Sequence, residues 1–218
     1  MPLTATQRAA RLPWADVVAL IWFALDAVTH LVLEASYLYY ALLVPGGAAS
    51  SDSWAASIWV EYGKADTRWA GNDPGVAALE LLTVFIAGPL AAWLCWAIWT
   101  RRADRHVWQV VISVMELYGG GMTFIPEWIA GSPSLRTHHP VLTWVYLAFM
   151  NGVWVYVPLV LLAESIPILI AACDATSVPV APAYLSSAWH TSVAVILAIY
   201  AVAVPLILAT MSPEHPMV

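Results

Sequence analysis

The chain has 218 residues, of which 61% are hydrophobic and only 10% charged, with 13 tryptophans. A soluble domain of this length cannot hide so much apolar surface, so the composition is that of an integral membrane protein. In such a chain the net charge of −6 is no sign of a nucleic-acid partner, and Cys95 and Cys173 make neither a disulfide framework nor a metal-ligand spacing.

The N-terminus, MPLTATQRAARLPW, is short and polar. It lacks the apolar core and small-residue cleavage site of a signal peptide, so the first apolar span is expected to stay as an anchor. A bilayer core takes about 20 apolar residues of helix. Five stretches meet that length: roughly 15–44, 76–99, 107–129, 141–173 and 189–210. Gly88-Pro89 is expected to break the second. Gly119, Gly120 and Gly121 lie inside the third, Pro158 and Pro167 should kink the fourth, and Pro205 stands near the end of the fifth. The cysteines fall in or beside these runs and read as small buried hydrophobes. The fold class expected is therefore all-α, an integral membrane bundle of about five transmembrane helices.

Between the first two spans, residues 45–75 carry SWAASIWVEYGKADTRW, rich in tryptophan and mixed charge. That segment predicts a short helix at the membrane interface, placed to cover a cavity mouth. Arg8, Arg11, Arg101, Arg102 and Arg105 fall on one side of the spans, and Lys64, Arg68 and Arg136 on the other. The bias favours a cytoplasmic N-terminus. No internal repeat of the transporter kind is present.

Titratable groups inside apolar spans are costly and normally face a bundle interior. They are Asp26, His30 and Glu34 in the first span, Glu80 in the second and Glu116 in the third, with the polar Asn151 in the fourth. Positions 26, 30 and 34 lie on one helical face, which Tyr37 continues. A histidine four residues from a carboxylate can share a proton with it, which suits general acid–base work. The alternative is a polar clasp between helices. One histidine with scattered acids, no HExxH and no second histidine within a span argues against a metal; His138 and His139 belong to a loop. Asn151 and Trp154 share a face, and an aromatic face turned toward an acid-lined cavity can steady a cation. Protonation of an alkene, a steadied carbocation and loss of a different proton would move a double bond.

The residues resemble the emopamil-binding protein family, the membrane sterol Δ8–Δ7 isomerases within the wider EXPERA group. The resemblance rests on WFALDAVTHLVLEASYLYY, WVEYGKADTRWAGND, ALELLTVFIAGPL, QVVISVMELYGG and HPVLTWVYLAFMNGVWVYVP, in order, over about residues 20–162. It implies catalytic roles for His30, Glu34, Glu80, Asn151 and Trp154, with Trp154 at the carbocation. It implies roles at the site for Thr83 and Tyr118, which are read with Asp26, Tyr37 and Glu116 as substrate contacts. Glu61, Tyr62, Lys64, Asp66 and Arg68 match a frame read as structural. No cofactor is expected, and no metal.

The chain departs from the family in three ways. It opens directly on the HLVxE helix, it adds a C-terminal span, and it has Glu116, Gly120 and Asp26 where the family has Gln, Asp and a small or apolar residue. The expectation is one membrane domain over 1–218, with an EXPERA-like core at about 15–173 and an extra helix at about 189–210. Its partners would be a hydrophobic sterol or terpenoid and the bilayer, in the endoplasmic reticulum, with a homodimer as an option. An isomerase stands first. A terpenoid or meroterpenoid cyclase or epoxide-opening enzyme, and a non-enzymatic lipid-binding protein, stand as alternatives.

Overall fold

A computed structural model describes residues 12–175 and Val202. The segments 1–11 and 189–210, which carry the arginines of the N-terminus and the expected fifth span, lie outside the described residues apart from Val202. The described chain is all helix and loop, save one isolated bridge between Asp66 and Leu135. Its helices are α1 (Trp14–Leu43), α2 (Trp54–Tyr62), α3 (Pro74–Trp99), α4 (Arg105–Ile129) and α5 (Leu142–Ala175). The chain divides into two compact units at residues 170 and 171; the cores and the site described below lie in the first.

Helices α1, α3 and α5 are long and apolar enough to cross a membrane. Helix α4, the third span expected, is long but is not among the three helices apolar enough to cross a membrane. Arg105, His106, Gln109, Ser113 and Glu116 are buried along it, while Val107, Val111, Val114 and Ile125 are exposed. It turns a polar stripe inward and an apolar one outward. The outer surface of α1, including Ile21, Leu25, Val28 and Val32, is likewise apolar and exposed. This surface suits lipid.

Local chemistry sets the helix starts. Ser53 accepts a hydrogen bond from the Ala56 N–H at 3.2 Å and opens α2. Asp73 accepts from Val76 N–H at 2.8 Å, with Pro74 at the first helical position, and opens α3. Gly88-Pro89 does not break α3. Proline lacks the N–H that a helix needs and its ring crowds the preceding turn. The chain widens into a π-helical turn at Thr83–Ala87 and then resumes as α-helix through Pro89. A second π turn occupies Thr29–Glu34 in α1, and a third Leu142–Phe149 in α5.

Two apolar cores form. In one, Ala19, Phe23 and Ala27 of α1 pack with Ala87, Ala91 and Leu94 of α3. Alanines let the two backbones approach closely, as membrane helix interfaces require. In the other, Tyr37, Leu38 and Ala41 pack with Trp59, Trp69 and Val76. Tyr37 lies 5.4 Å from Trp59 and 4.8 Å from Trp69, ring centre to ring centre. Between the cores, on α1 and α3, stand His30, Glu34 and Glu80.

The 45–75 segment contains the expected short helix, α2, and is stitched into the fold. Trp59 donates its indole N–H to Ser36 at 2.8 Å. Arg68 grips fully buried Asp66 through Nε at 2.9 Å and Nη2 at 2.6 Å, and donates to the Thr123 carbonyl at 2.9 Å. The Thr67 N–H donates to the Ser134 carbonyl and the Arg136 N–H to that of Ala65, which ties the segment to the loop after α4. Cys95 is partly buried, but Cys173 is exposed at the end of α5, so only the first approaches the buried hydrophobe expected.

Candidate active site

The π turn at Thr29–Glu34 and the π turn at Thr83–Ala87 meet where α1 crosses α3. Widened turns of this kind recur at functional sites. Gly88 permits the approach: a Cβ there would fall 2.8 Å from Leu31 Cδ2 and 3.0 Å from His30 Cβ. The crossing delivers His30, on α1, to the acids.

His30 is 3% exposed and lies between two carboxyl groups. Its Nδ1 pairs with Glu34 Oε2. Its Nε2 lies 3.1 Å from Asp26 Oδ1, close enough for an ion pair but off the line of a hydrogen bond. Beyond Glu34, the carboxyl of Glu80 makes side-chain contact with it. Thr83 donates to Glu80 Oε2 at 2.7 Å. Beyond Asp26, Trp154 donates its indole N–H to Asp26 Oδ1 at 3.1 Å. The Trp154 ring meets Trp22 edge to face at 5.5 Å. Glu116, from α4, closes this side. One ligand-type atom each of Asp26, His30 and Glu116 lies within 4.8 Å of the others.

The result is a buried row, Glu80–Glu34–His30–Asp26–Glu116, assembled from α1, α3 and α4 and touched by Trp154 of α5. Four carboxyl groups stand around one imidazole in this apolar interior. That arrangement can give a proton to a bound apolar molecule and take one from it. It could also hold a divalent cation at Asp26, His30 and Glu116, since His30 has a carboxylate on its other nitrogen, as metal-bound histidines usually do.

The remaining candidates fall elsewhere. Asn151 donates to Tyr62 Oη at 2.9 Å and to the carbonyls of Tyr146 at 2.8 Å and Leu147 at 3.0 Å. Its amide satisfies carbonyls that the π turn of α5 leaves open, and it ties α5 to α2. Tyr37 is fully buried in the aromatic core with its hydroxyl unpartnered. Tyr118 is 67% exposed; two residues beyond Glu116, it leaves the opposite side of α4.

Sequence reasoning missed Trp22, although it stands four residues before Asp26 and extends the same stripe. It also missed Ser113, one turn before Glu116, which is buried with its hydroxyl unpartnered. A second polar cluster escaped entirely. Arg105 donates to Asp16 at 2.5 Å, to Glu164 at 3.3 Å and to Gln109 at 3.0 Å. Gln109 in turn donates to Glu164 and Ser165, each at 2.9 Å. Arg105 is thus a buried, paired group and not the free loop charge assumed in weighing orientation. Glu164 was legible as an acid within the fourth span. A surface cleft of about 530 Å³, lined by Lys64, Arg136, His138, His139 and Leu142, contains none of the row.

A helical membrane bundle with a buried row of one imidazole and four carboxyl groups defines the class. The family model described as EBP, the EXPERA (EXPanded EBP superfamily) domain, matches residues 54–165. The chain belongs to this family. It is 33% identical over 149 residues to the 3-beta-hydroxysteroid-Delta(8),Delta(7)-isomerase of Cavia porcellus, covering 68% of this chain and 63% of that protein. It is 33% identical over 156 residues to the Mus musculus protein of the same name, covering 71% and 66%. It is also 28% identical over 143 residues to isomeliandiol synthase MOI2 of Melia azedarach, covering 66% and 65%. The chain spans less than two thirds of the length of each of these relatives.

Proposed function

We propose that the chain is a membrane isomerase that shifts a carbon–carbon double bond in a sterol or triterpenoid. The carrying observation is the row itself: His30 paired with Glu34, and Glu34 in contact with Glu80, all within the bundle. A carboxyl of this group protonates the alkene. The ring of Trp154, held at its edge by Asp26, stands against the resulting carbocation. A carboxylate then removes a different proton. Thr83 orients Glu80, and Asn151 positions α5, which carries Trp154. Tyr37 and Tyr118 are the remaining substrate contacts of this reading. The similarity to sterol isomerases supports the reaction type.

A second reading, cyclisation or epoxide opening on a terpenoid or meroterpenoid, draws support from the acids Asp26 and Glu116. It is also favoured by similarity to proteins named isomeliandiol synthase and protoglabretal synthase. A purely lipid-binding protein would have no need of a shared proton. In our reading the 218 residues form one membrane domain, needing no cofactor. It resides in the endoplasmic reticulum with its N-terminus cytoplasmic, and a homodimer is compatible with it.

The test is expression in microsomes with a Δ8 sterol and a terpenoid panel in deuterated water. An isomer carrying deuterium at a ring carbon supports the reading. Unchanged substrate across the panel, with tight binding, supports the lipid-binding alternative.

A further inference from the structure

The row has two ends, one on each side of His30. At one end the carboxyls of Glu34 and Glu80 contact each other. At the other end Asp26, fully buried, faces two ring nitrogens: Trp154 Nε1 donates to its Oδ1, and His30 Nε2 lies 3.1 Å from that same oxygen. The carboxyl of Glu116, 8% exposed, contacts that of Asp26. Beyond that mutual contact, Asp26 Oδ2 and both Glu116 oxygens have no other hydrogen-bond partner. A buried carboxyl pair with no other partner can give or take a proton at a bound molecule.

From this geometry we infer that Asp26 and Glu116 form a second acid–base station, distinct from Glu34–Glu80 and separated from it by His30. The inference rests on the isomerase reading. The Glu34–Glu80 station gives the proton: a carboxyl O–H breaks and a C–H bond forms from the alkene π pair. A cation is left on the neighbouring carbon, beside Trp154. The Asp26–Glu116 station takes the other proton: a C–H bond next to the cation breaks, its electron pair becomes the new double bond, and a carboxylate becomes a carboxyl. One proton is given and one is taken, so substrate and product are isomers. Exchange with solvent water returns each station to its starting state. Asp26 therefore does more than contact substrate, the role expected from sequence.

Two stations make opposite predictions for the isotope effect of deuterium placed on a Δ8 sterol at the carbon that loses its proton, read with full-length protein. Glu34→Gln slows the giving step, so turnover falls and the isotope effect shrinks toward one. Asp26→Asn and Glu116→Gln slow the taking step, so turnover falls about 100-fold or more, the scale of a lost acid–base group, and the isotope effect rises above that of the parent. Their KM should move by about threefold or less, since binding is little changed. Melting temperatures of the isosteric variants separate loss of chemistry from loss of fold, and two independent variants guard against failure of one.

An isotope effect that changes in the same direction in Glu34→Gln and Asp26→Asn would mean a single station and overturn the inference, as would parental turnover in both Asp26→Asn and Glu116→Gln. A stoichiometric divalent metal in the purified protein, absent from Asp26→Asn, would also overturn it in favour of a cation site. Parent protein that does not shift the Δ8 sterol at all defeats the isomerase reading first, and the second station with it.

Discussion

Trp154 and Asp26, 128 residues apart, are joined by a hydrogen bond of 3.1 Å from the indole N–H to Oδ1. It fixes the edge of the ring, which also meets Trp22 edge to face at 5.5 Å. Trp154→Phe keeps an aromatic face but loses this donor, and Trp154→Ala loses both. A cation–π contact is worth on the order of 0.5–2 kcal/mol. Turnover should therefore fall about tenfold for Phe and further for Ala, measured at equal expression. Equal turnover in all three would leave Trp154 as a packing residue.

Gly88 controls the crossing of α1 and α3. Gly88→Ala would set a Cβ 2.9 Å from Leu31 Cγ and 3.0 Å from His30 Cβ, tighter than packed atoms tolerate. Overpacking of this kind costs typically about 1–3 kcal/mol. The variant should melt at lower temperature and lose turnover more than binding, because His30 moves. Unchanged melting and turnover would mean that the crossing is looser than described.

The stripe Asp26–His30–Glu34 was legible because its spacing is local. The apolar lengths of α1, α3 and α5 were legible for the same reason. What the stripe meets was not. Glu80 and Glu116 could be expected to face inward by cost alone, but nothing in the spacing says that one lies beyond Glu34 and the other beyond Asp26. The π turns were hidden too, since Pro89 reads as a break until a neighbouring turn absorbs it. The cluster of Asp16, Arg105 and Glu164 depends on contacts across 59 and 89 residues. A single-sequence reading has no register for such distances, so Arg105 looked like a loop charge.

Arg68 is the clamp of the interfacial segment. It holds buried Asp66 by two hydrogen bonds and lies 3.8 Å from Glu127. Burial opposes the charge on Arg68, but the Asp66 carboxylate outweighs it and raises its pKa above the ordinary guanidinium value. Arg68→Ala would strand Asp66, and breaking a buried pair costs about 3–5 kcal/mol. Loss of folded protein in detergent is expected, with Arg68→Lys milder but impaired for want of the planar fork. A fully stable Arg68→Ala would show that Asp66 finds water.

Asn151 separates a positioning role from a chemical one. Its amide donates to Tyr62 and to two carbonyls of the π turn in α5. Asn151→Leu should destabilise by about 1–3 kcal/mol through the stranded acceptors. Tyr62→Phe, which removes only one of those acceptors, should cost less. Loss of turnover at unchanged stability would instead return Asn151 to the chemistry.

The most direct measurement is a cycle on His30 and Glu34, assayed by conversion of a Δ8 sterol. Glu34→Gln keeps the shape of the side chain and removes its titratable proton. A proton-handling role should cost about 10²–10⁴-fold in turnover. Because the two act as one unit, His30→Ala with Glu34→Gln should cost little more than the worse single change. Folded Glu34→Gln and Glu80→Gln proteins that turn over at the parent rate would contradict the acid–base row and leave a binding protein in its place.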